Sequence, residues 1–153
     1  MSRRPSISDL DHHLGYWLRY VSNHVSHAFS RKIEAKGVTV AEWVVLRQLY
    51  DHEAMLPSTL AEELGMTRGA ISKLAERLVA KSLIVRTFSD YDRRFQNLAL
   101  TASGQALVPE LAALADQNDA EFFGHLAAEE RRMIEEMMRD IVNRRGLKTL
   151  PTE

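Results

Sequence analysis

Residues 57–104 read PSTLAEELGMTRGAISKLAERLVAKSLIVRTFSDYDRRFQNLALTASG, and this stretch decides the fold of the chain. Apolar residues at helical spacing predict a first helix that ends at Gly65, because glycine favours the left-handed conformation that follows many helices. A second helix is expected to begin after Thr67, whose hydroxyl can cap the free amides of the next turn. Two helices joined by a short turn containing glycine have the layout of a helix-turn-helix.

A β-hairpin is predicted directly after the second helix. Residues 83–86 are β-prone, and polar and apolar residues alternate from Gln96 to Thr101. The residues between these two segments are mainly polar and charged. The pattern therefore predicts a wing with a charged tip beside the second helix of the motif.

This stretch resembles the winged helix of the multiple antibiotic resistance regulator (MarR) family. The resemblance rests on the run DYDRR at residues 90–94, followed by Leu98, Leu100, Thr101 and Gly104. The family pattern is an Asp and Arg cluster, then Leu-x-Leu-Thr, then a glycine. Tyr91 stands where many members carry a second arginine, which lowers the positive charge of the wing tip without changing the expected function. The resemblance implies a mainly α fold with a small β-hairpin wing.

Helical patterns flank the winged helix on both sides. Apolar residues recur at spacings of three, four or seven from Ser8 to about Lys36, which predicts one long amphipathic helix stopped by Gly37. A domain this small buries such a helix poorly, so part of its face should contact a second copy. With the resemblance, four parts are expected: an N-terminal dimerisation helix (1–37), a winged helix-turn-helix domain (38–104), C-terminal dimerisation helices (105–145) and a flexible tail (146–153).

Local signals in these helices lead to four further expectations. Thr39 and Glu42 form a capping box, in which Glu42 reaches back to the amide of Thr39. Ser58 or Thr59 should cap the first helix of the motif. Pro109 should bend or break the helix that follows the wing. In the last helix, predicted from 126 to 143, five apolar residues should face inward: Met133, Ile134, Met137, Met138 and Ile141.

Composition excludes several classes of protein. The chain has 153 residues, of which 45% are hydrophobic and 27% charged, the proportions of a soluble globular protein. It contains no apolar run near the ~20 residues that span a bilayer and no signal peptide core, so a cytoplasmic location without membrane association is expected. The absence of cysteine excludes disulfides, thiolate metal ligands and thiol-based redox sensing, including that of the peroxide sensors in the resembling family.

Neither an enzyme nor a metal site is expected. The chain has no glycine-rich phosphate loop, nucleophile elbow or metalloprotease motif, and no cofactor is predicted. His24 and His27 are three residues apart on the first helix and could bind zinc, but a zinc site needs further ligands at defined spacing.

Charge is distributed unevenly along the chain. The formal net charge is −1, but residues 68–94 contain seven basic and three acidic residues, so this window carries +4 and the remainder −5. Affinity for phosphates depends on where charge lies rather than on its total. A DNA-facing surface on an acidic body would have this pattern, and so would any solvated helix that carries lysine and arginine.

The resemblance implies that the second helix of the motif enters the major groove and that a wing arginine enters the minor groove. Asp92 would hold a wing guanidinium in place. Arg77 has an alternative role as an ion-pair partner inside the module. The residues expected to contact DNA are Ser58 and Thr67, mainly on phosphate, together with Arg68, Gly69, Ser72, Lys73, Arg77, Arg93 and Arg94.

Members of the family commonly release DNA when a small, often aromatic acid fills a crevice between the dimer helices and the winged helix. Aromatic side chains could stack on such a ligand, and Arg47 or His24 could meet its carboxylate. Core packing is the alternative role of these side chains. The candidate ligand-binding residues are Trp17, Tyr20, His24, Trp43 and Arg47.

These expectations favour a homodimeric, sequence-specific transcriptional regulator, specifically a repressor released by a small ligand. Its double-stranded DNA operator should be a pseudo-palindrome, because a dimer presents two recognition helices related by symmetry. The alternative is a winged-helix module that binds DNA architecturally, or binds a protein partner, without any ligand.

Overall fold

A computed structural model describes residues 4–88 and 96–148 of the chain. Within these residues it contains six α-helices and one hairpin, in agreement with the predicted mainly α winged-helix fold. The two strands pair in antiparallel fashion, with Ile84 opposite Leu100 and Phe88 opposite Gln96. The elements are α1 (Leu14–Glu34), α2 (Val40–Tyr50), α3 (Pro57–Leu64), α4 (Arg68–Ala80), β1 (Ile84–Phe88), β2 (Gln96–Leu100), α5 (Ala102–Phe123) and α6 (Ala128–Arg145).

The first helix begins later than the sequence pattern indicates. A short 3₁₀ helix spans Leu10–His12, and His13 has an extended backbone (φ −91°, ψ 124°), so α1 begins at Leu14 rather than at Ser8. The indole Nε1 of Trp17 donates a 2.8 Å hydrogen bond to the carbonyl oxygen of Asp11, which holds the preceding segment against the start of the helix. The helix ends as predicted before Gly37, whose φ is +78°.

Side-chain caps form at the start of α2, α4 and α5, but not at the start of α3. The hydroxyls of Thr39, Thr67 and Thr101 accept hydrogen bonds from the backbone amides of Glu42, Ala70 and Gly104. The prediction that Ser58 or Thr59 caps α3 is wrong, because the helix begins at Pro57 with Leu56 as its N-cap residue and no side-chain cap. Proline suits this first helical position since its fixed φ is helical and it has no amide hydrogen to satisfy.

The capping box at the start of α2 forms only in part. The side chain of Glu42 is buried, with 1% of the residue exposed. Its carboxylate accepts a 2.6 Å hydrogen bond from Nζ of Lys81 at the end of α4 instead of the predicted bond from the amide of Thr39. Burying a carboxylate without a charged partner costs more free energy than leaving the amide of Thr39 bonded to water. The contact with Lys81 therefore replaces the local capping bond.

The hydrophobic core lies in the winged helix and extends into α1 and α5. Helix α2 packs against α3, α4 and α5, and the hairpin covers the end of α4. Met55 is bridged to Leu98 of β2 by two backbone hydrogen bonds of 2.9 and 2.8 Å. The largest fully buried apolar side chains are Ile33, Val45, Leu46, Leu49, Leu60, Ile71, Leu78, Ile84, Leu98, Val108 and Leu111.

Helix α5 is not broken at Pro109. It runs continuously from Ala102 to Phe123, so of the expected bend or break, the break is wrong. Proline removes one hydrogen bond, the one that the carbonyl of Gln105 would accept. The neighbouring side chains of Val108 and Leu111 are buried, and this packing keeps the helix in place across the missing bond.

The apolar face of α6 does not turn inward, contrary to the expectation. None of the residues of α6 is buried. In the described part of the chain, no element lies over this face, so the predicted burial does not occur within one copy. The exposed apolar residues of α6 are Met133, Ile134, Met137, Met138, Ile141 and Val142, each at least 43% exposed.

Helix α1 is also mainly exposed. Ile33, near its C-terminal end, is its one buried residue. Leu14, Trp17, Leu18 and Val21 remain 43% to 80% exposed along its N-terminal half. Among residues 4–88 and 96–148, no helix has the length and apolar character that crossing a bilayer demands.

Candidate nucleic-acid interface

Helix α4 has two opposite faces of different character. Ile71, Leu74, Ala75 and Leu78 are buried on one side and fix the helix against the core. Their spacing of three and four residues places them on a single apolar stripe. The other side of the helix therefore faces solvent along its whole length.

The exposed side of α4 carries the predicted basic residues. Arg68, Gly69, Ser72, Lys73 and Arg77 are all exposed. Arg68 and Arg77 are nine residues apart, which separates them by about 14 Å along the helix axis and places them on opposite flanks of the exposed side. In the described ranges, neither Arg68, Lys73 nor Arg77 has an ion-pair partner, so the alternative of an ion pair for Arg77 finds no support there. These side chains present positive charge and hydrogen-bond donors to whatever approaches the face.

Gly69 leaves open space at the N-terminal end of this face. A Cβ atom added there would have one neighbour within 4 Å, the capping hydroxyl oxygen of Thr67 at 4.0 Å. The glycine is therefore not required by packing within the chain. The backbone of the first turn of α4 can be approached closely from outside.

The two predicted hydroxyl contacts differ in accessibility. Thr67 is exposed, and its oxygen accepts a 3.1 Å hydrogen bond from the amide of Ala70, which leaves the hydroxyl hydrogen to donate outward. Ser58 lies in the first turn of α3 and is half-buried. Hydroxyl donors near helix N-termini suit phosphate contacts.

The wing residues Asp92, Arg93 and Arg94 lie outside the described residues. The structure does describe both strands of the hairpin, up to Phe88 on one side and from Gln96 on the other. Arg86 is exposed on β1 and adds a basic side chain to the hairpin.

One basic residue of the positive window turns away from the candidate surface. Lys81 follows the last turn of α4, and its Nζ donates hydrogen bonds to the carbonyl oxygen of Gly37, at 2.7 Å, and to the carboxylate of Glu42. Sequence reasoning counted Lys81 with the DNA-facing charges. The Glu42–Lys81 pair was missed because the Thr39–Glu42 spacing supplied a competing local explanation for the acid.

The five candidate ligand residues form separate groups in one copy of the chain. Trp17, Tyr20 and His24 lie on one stretch of α1, where the rings of Tyr20 and His24 stack with centroids 5.0 Å apart. Trp43 instead packs edge-on against Phe29, with centroids 6.2 Å apart. The residues thus line no common crevice within a single chain.

Arg47, the remaining candidate ligand residue, is already paired. Its Nη1 donates a 2.7 Å hydrogen bond to the carboxylate of Asp51, one turn further along α2. Its guanidinium also lies over the ring of Tyr50, 5.9 Å from the centroid. A ligand carboxylate at Arg47 would have to replace Asp51.

A polar cluster that the sequence did not reveal joins α1 to α5. Nζ of Lys32 donates to Oδ1 of Asn118 at 2.9 Å and to Oε2 of Glu121 at 2.7 Å. Asn118 is buried and donates through Nδ2 to the carbonyl oxygen of Val25. The hydrogen bond from Lys32, followed by one from Gln117, lowers the pKa of Glu121 below its ordinary value. Lys32 is 86 residues from Asn118 and 89 from Glu121, so no spacing in the sequence could indicate their contact.

A groove lies between α5 and α6. It has a volume of about 280 Å³ and is lined mainly by apolar side chains, including Phe123, Leu126, Ile134 and Met138. At its edge Arg131 pairs with Asp119 at 2.7 Å, and this contact raises the pKa of Arg131 above its ordinary value. The groove opens onto the exposed apolar face of α6.

Comparison with known proteins identifies the family. The model of the MarR family matches residues 36–94, which include α2, the helix-turn-helix and the first strand. An uncharacterised HTH-type transcriptional regulator of Bacillus cereus is 30% identical over 145 residues, covering 90% of this chain and 93% of that relative. This chain belongs to the MarR family. As a MarR-family transcriptional regulator it binds DNA, and it is not an enzyme.

Two further MarR-like proteins bear on function. The transcriptional repressor MdtR of Bacillus subtilis is 35% identical over 98 residues, which are 64% of this chain and 63% of MdtR, so the match spans less than two thirds of that repressor. The structure of BpsR of Bordetella bronchiseptica superposes with a TM-score of 0.80 at 27% identity, covering 89% of this chain and 97% of BpsR. The DNA binding of BpsR is regulated by 6-hydroxynicotinic acid.

Proposed function

We propose that this MarR-family regulator is a homodimeric, sequence-specific repressor that a small aromatic acid releases from DNA. The observation that carries the proposal is the exposed face of α4, on which Arg68, Lys73 and Arg77 stand opposite the buried stripe. A helix held rigidly on one side and basic on the other is suited to the major groove. Because the operator is genomic DNA, the protein would act in the cytoplasm of a bacterium.

Each side chain of the α4 face has a role in this proposal. Arg68 and Lys73, near the start of the helix, reach base edges, where arginine and lysine pair with guanine. Gly69 lets the backbone approach the groove, and Ser72 and Arg77 complete the contact. Thr67 and Ser58 donate to phosphates and fix the register of the helix without reading sequence.

The wing contributes the second part of the interface. Arg94, or Arg93 in its place, enters the minor groove, where a narrow A·T-rich groove concentrates negative potential. Asp92 holds one of these guanidiniums by a bidentate pair. Arg86, exposed on β1, adds positive charge along the way to the tip.

A second copy of the chain covers the exposed apolar faces of α1 and α6. An isolated helix of 18 residues with a solvated apolar face is marginal in water, and burial against a partner supplies the missing stability. Residues 1–37 and 105–145 then form the dimerisation parts and residues 38–104 the DNA-binding part. The predicted tail, residues 146–153, lies outside the described residues from residue 149 onward. Half-sites one helical turn apart would place the two α4 helices about 34–36 Å apart on a pseudo-palindromic operator.

The ligand binds where the dimer helices meet the winged helix. Trp17, Tyr20 and His24 would stack on an aromatic ring, and Trp43 would close the side of the crevice. Arg47 would exchange Asp51 for the carboxylate of the ligand. The regulation of BpsR by 6-hydroxynicotinic acid, an aromatic acid, supports this class of ligand. MdtR is a repressor, and this similarity supports repression rather than activation.

The first test is binding to the intergenic DNA upstream of the chain's own gene and to a scrambled duplex of equal composition. Fluorescence anisotropy at two salt concentrations should give discrimination of about a thousandfold or more, the lower range for specific sites. Equal, strongly salt-sensitive binding to both duplexes would instead favour an architectural protein. Binding to neither would favour a protein partner.

The second test concerns the ligand. Hydroxylated and unsubstituted benzoic, nicotinic and cinnamic acids are titrated into the protein while tryptophan fluorescence and melting temperature are followed. A binding acid should raise the melting temperature and reduce operator affinity, because it stabilises a conformation that DNA does not select. A panel without any effect on either signal would argue against an aromatic acid.

A further inference from the structure

Glu42 is the one charged residue that is buried within residues 4–88 and 96–148. Its carboxylate accepts a 2.6 Å hydrogen bond from Nζ of Lys81, and the same Nζ donates to the carbonyl oxygen of Gly37 at 2.7 Å. Lys81 immediately follows the last residue of α4. The pair therefore joins the C-terminal end of the exposed basic helix to the first turn of α2 and to the turn between α1 and α2.

We propose that Glu42 and Lys81 are positioning residues, which set the orientation of α4 for operator recognition without contacting the bases. This inference rests on the proposal that α4 reads the operator. The apolar contacts of Ile71, Leu74 and Leu78 fix how deeply the helix sits, but hydrophobic contact is not directional. Nζ of Lys81 is held at once by the carboxylate of Glu42 and by the carbonyl oxygen of Gly37, and these two acceptors limit the tilt and rotation of α4 as well.

The pair lies at the end of α4 opposite to the base-contacting residues, so a small change of tilt there becomes a large displacement of those residues. Arg68 and Lys73 stand toward the N-terminal end of α4, while Lys81 lies at the opposite end. A helix of 13 residues is about 18 Å long, so a tilt of about 3° about its C-terminal end moves the first turn by about 1 Å. That displacement is enough to spoil a bidentate contact to a base, whose geometry is narrow.

Burial of this pair is better explained by positioning than by stability. Moving two charges out of water costs about as much as their attraction returns, and apolar pairs of similar volume are often as stable. Lys81 is the partly exposed member, with 39% of its side chain accessible, so the cost falls mainly on Glu42. Replacing both members together should therefore leave the fold intact while removing the directional link.

The test uses the double variant Glu42→Met/Lys81→Met, which leaves the net charge of the chain unchanged. Affinity for the chain's upstream intergenic duplex should fall at least about tenfold, the size of one well-aligned base contact. The melting temperature and the affinity for a scrambled duplex should stay at the values of the parent protein. The matched control is Lys36→Met/Glu110→Met, which removes a partly exposed Lys–Glu pair between the turn that follows α1 and helix α5, and should change operator affinity less than twofold.

The salt dependence of binding separates positioning from direct contact. A positioning pair leaves the slope of log affinity against log salt unchanged, whereas a lysine that binds phosphate contributes about one unit to it. A reduced slope in the double variant would overturn the inference, and so would unchanged operator affinity. If the double variant does not fold, Glu42→Leu replaces it, because leucine removes the acceptor while the partly exposed ammonium of Lys81 can turn to water. Discrimination between the operator and the scrambled duplex equal to that of the parent would again overturn the inference.

The parent protein distinguishes the two proposals in the same assay. A parent that discriminates between the duplexes while the double variant matches it would overturn the positioning role alone. A parent that binds both duplexes equally would overturn operator reading by α4, and the positioning role with it.

Discussion

The hydroxyl of Thr101 donates a 2.7 Å hydrogen bond to the carbonyl oxygen of Ser82, 19 residues earlier in the chain. The amide of Thr101 donates to the carbonyl oxygen of Leu83 at 3.0 Å, and the hydroxyl oxygen caps α5 by accepting from the amide of Gly104. Ser82 has a positive φ of 58°, an unfavourable conformation for serine. The two hydrogen bonds from Thr101 hold this turn in place. The Leu-x-Leu-Thr and Gly signature thus joins the end of α4, the wing and α5 at one point.

Gly104→Ala should destabilise the protein. An added Cβ would collide with the carbonyl oxygen of Leu83 and lie 3.2 Å from a side-chain carbon of Leu100. Overpacking of this kind costs about 1–3 kcal/mol, and the backbone oxygen cannot move without disturbing the bond to Thr101. Urea unfolding followed by circular dichroism measures the loss.

Gly15→Ala is the matched control for that substitution. A Cβ at Gly15 meets no atom within 4 Å, and the residue lies in α1. The change should be neutral or stabilise by up to about 1 kcal/mol, because alanine has the higher helix propensity. Equal stability of the two alanine variants would contradict the close approach at Gly104.

Arg94→Ala should weaken operator binding with little change in melting temperature, because the proposed role of Arg94 is a minor-groove contact. The loss should be about tenfold and largest for operators with an A·T-rich segment under the wing. Asp92→Ala should weaken binding indirectly, by releasing the guanidinium. The control is Arg139→Ala on α6, which removes an exposed arginine paired with Glu135. If Arg94→Ala binds the operator as tightly as this control, Arg94 does not contact the minor groove.

Gly69→Ala should stabilise the free protein by up to about 1 kcal/mol, since the position is helical and open. Operator affinity should nevertheless fall, because the added methyl group would occupy the space through which DNA approaches the first turn of α4. Thermal unfolding and anisotropy on the same sample separate the two effects. Unchanged affinity together with the gain in stability would show that the backbone does not come close to DNA here.

Met137→Glu should dissociate the proposed dimer. Met137 is 57% exposed in one copy and stands in the apolar face of α6, where a carboxylate would be buried by a partner. Sedimentation equilibrium should show a monomer, and operator affinity should fall by about a hundredfold or more because the two half-sites are no longer bound together. The control is Arg132→Ala on the charged side of α6. A Met137→Glu protein with the parent's mass in solution would place the interface elsewhere.

The Lys32–Glu121 contact should make stability depend on pH on the acid side. Hydrogen bonding from Lys32 lowers the pKa of Glu121 from its ordinary value of 4.5 in the folded state. The contribution to stability is therefore fully present above that ordinary value and is lost as the pH falls through the lowered one. Lys32→Met should reduce the unfolding free energy more at pH 6 than at pH 3, as measured by urea unfolding. An equal reduction at both pH values would exclude this linkage.

Local features of the fold could be predicted because their causes lie within a few residues. Thr67 and Thr101 cap helices through amides three residues ahead, and Gly65 ends α3 in the left-handed conformation with a φ of 64°. The apolar spacing of α4 likewise identified its buried stripe, and the opposite basic face followed from it. The candidate DNA-binding residues on α4 were therefore accessible from sequence alone.

Local signals failed where several explanations compete within one turn. Glu42 had the correct spacing for a capping box, and Ser58 and Thr59 are good capping residues, but Pro57 already begins α3. Pro109 predicted a bend or a break, and the break does not occur because Val108 and Leu111 pack around it, which the pattern could not include. For Glu42 and Pro109 the deciding contacts come from outside the turn, whereas for α3 the neighbouring proline sets where the helix begins.

The sequence by itself determined the helix-turn-helix, the wing strands and the basic face of α4, because hydrogen bonds and side-chain periodicity within a turn depend only on near neighbours. Tertiary structure alone decided that Lys81 turns back to Glu42, 39 residues away, and that Lys32 meets Asn118 and Glu121. It also decided that the apolar face of α6 stays uncovered in a single copy. These contacts depend on how whole helices pack, and that packing is set by the shape of the complete core rather than by any one stretch of residues.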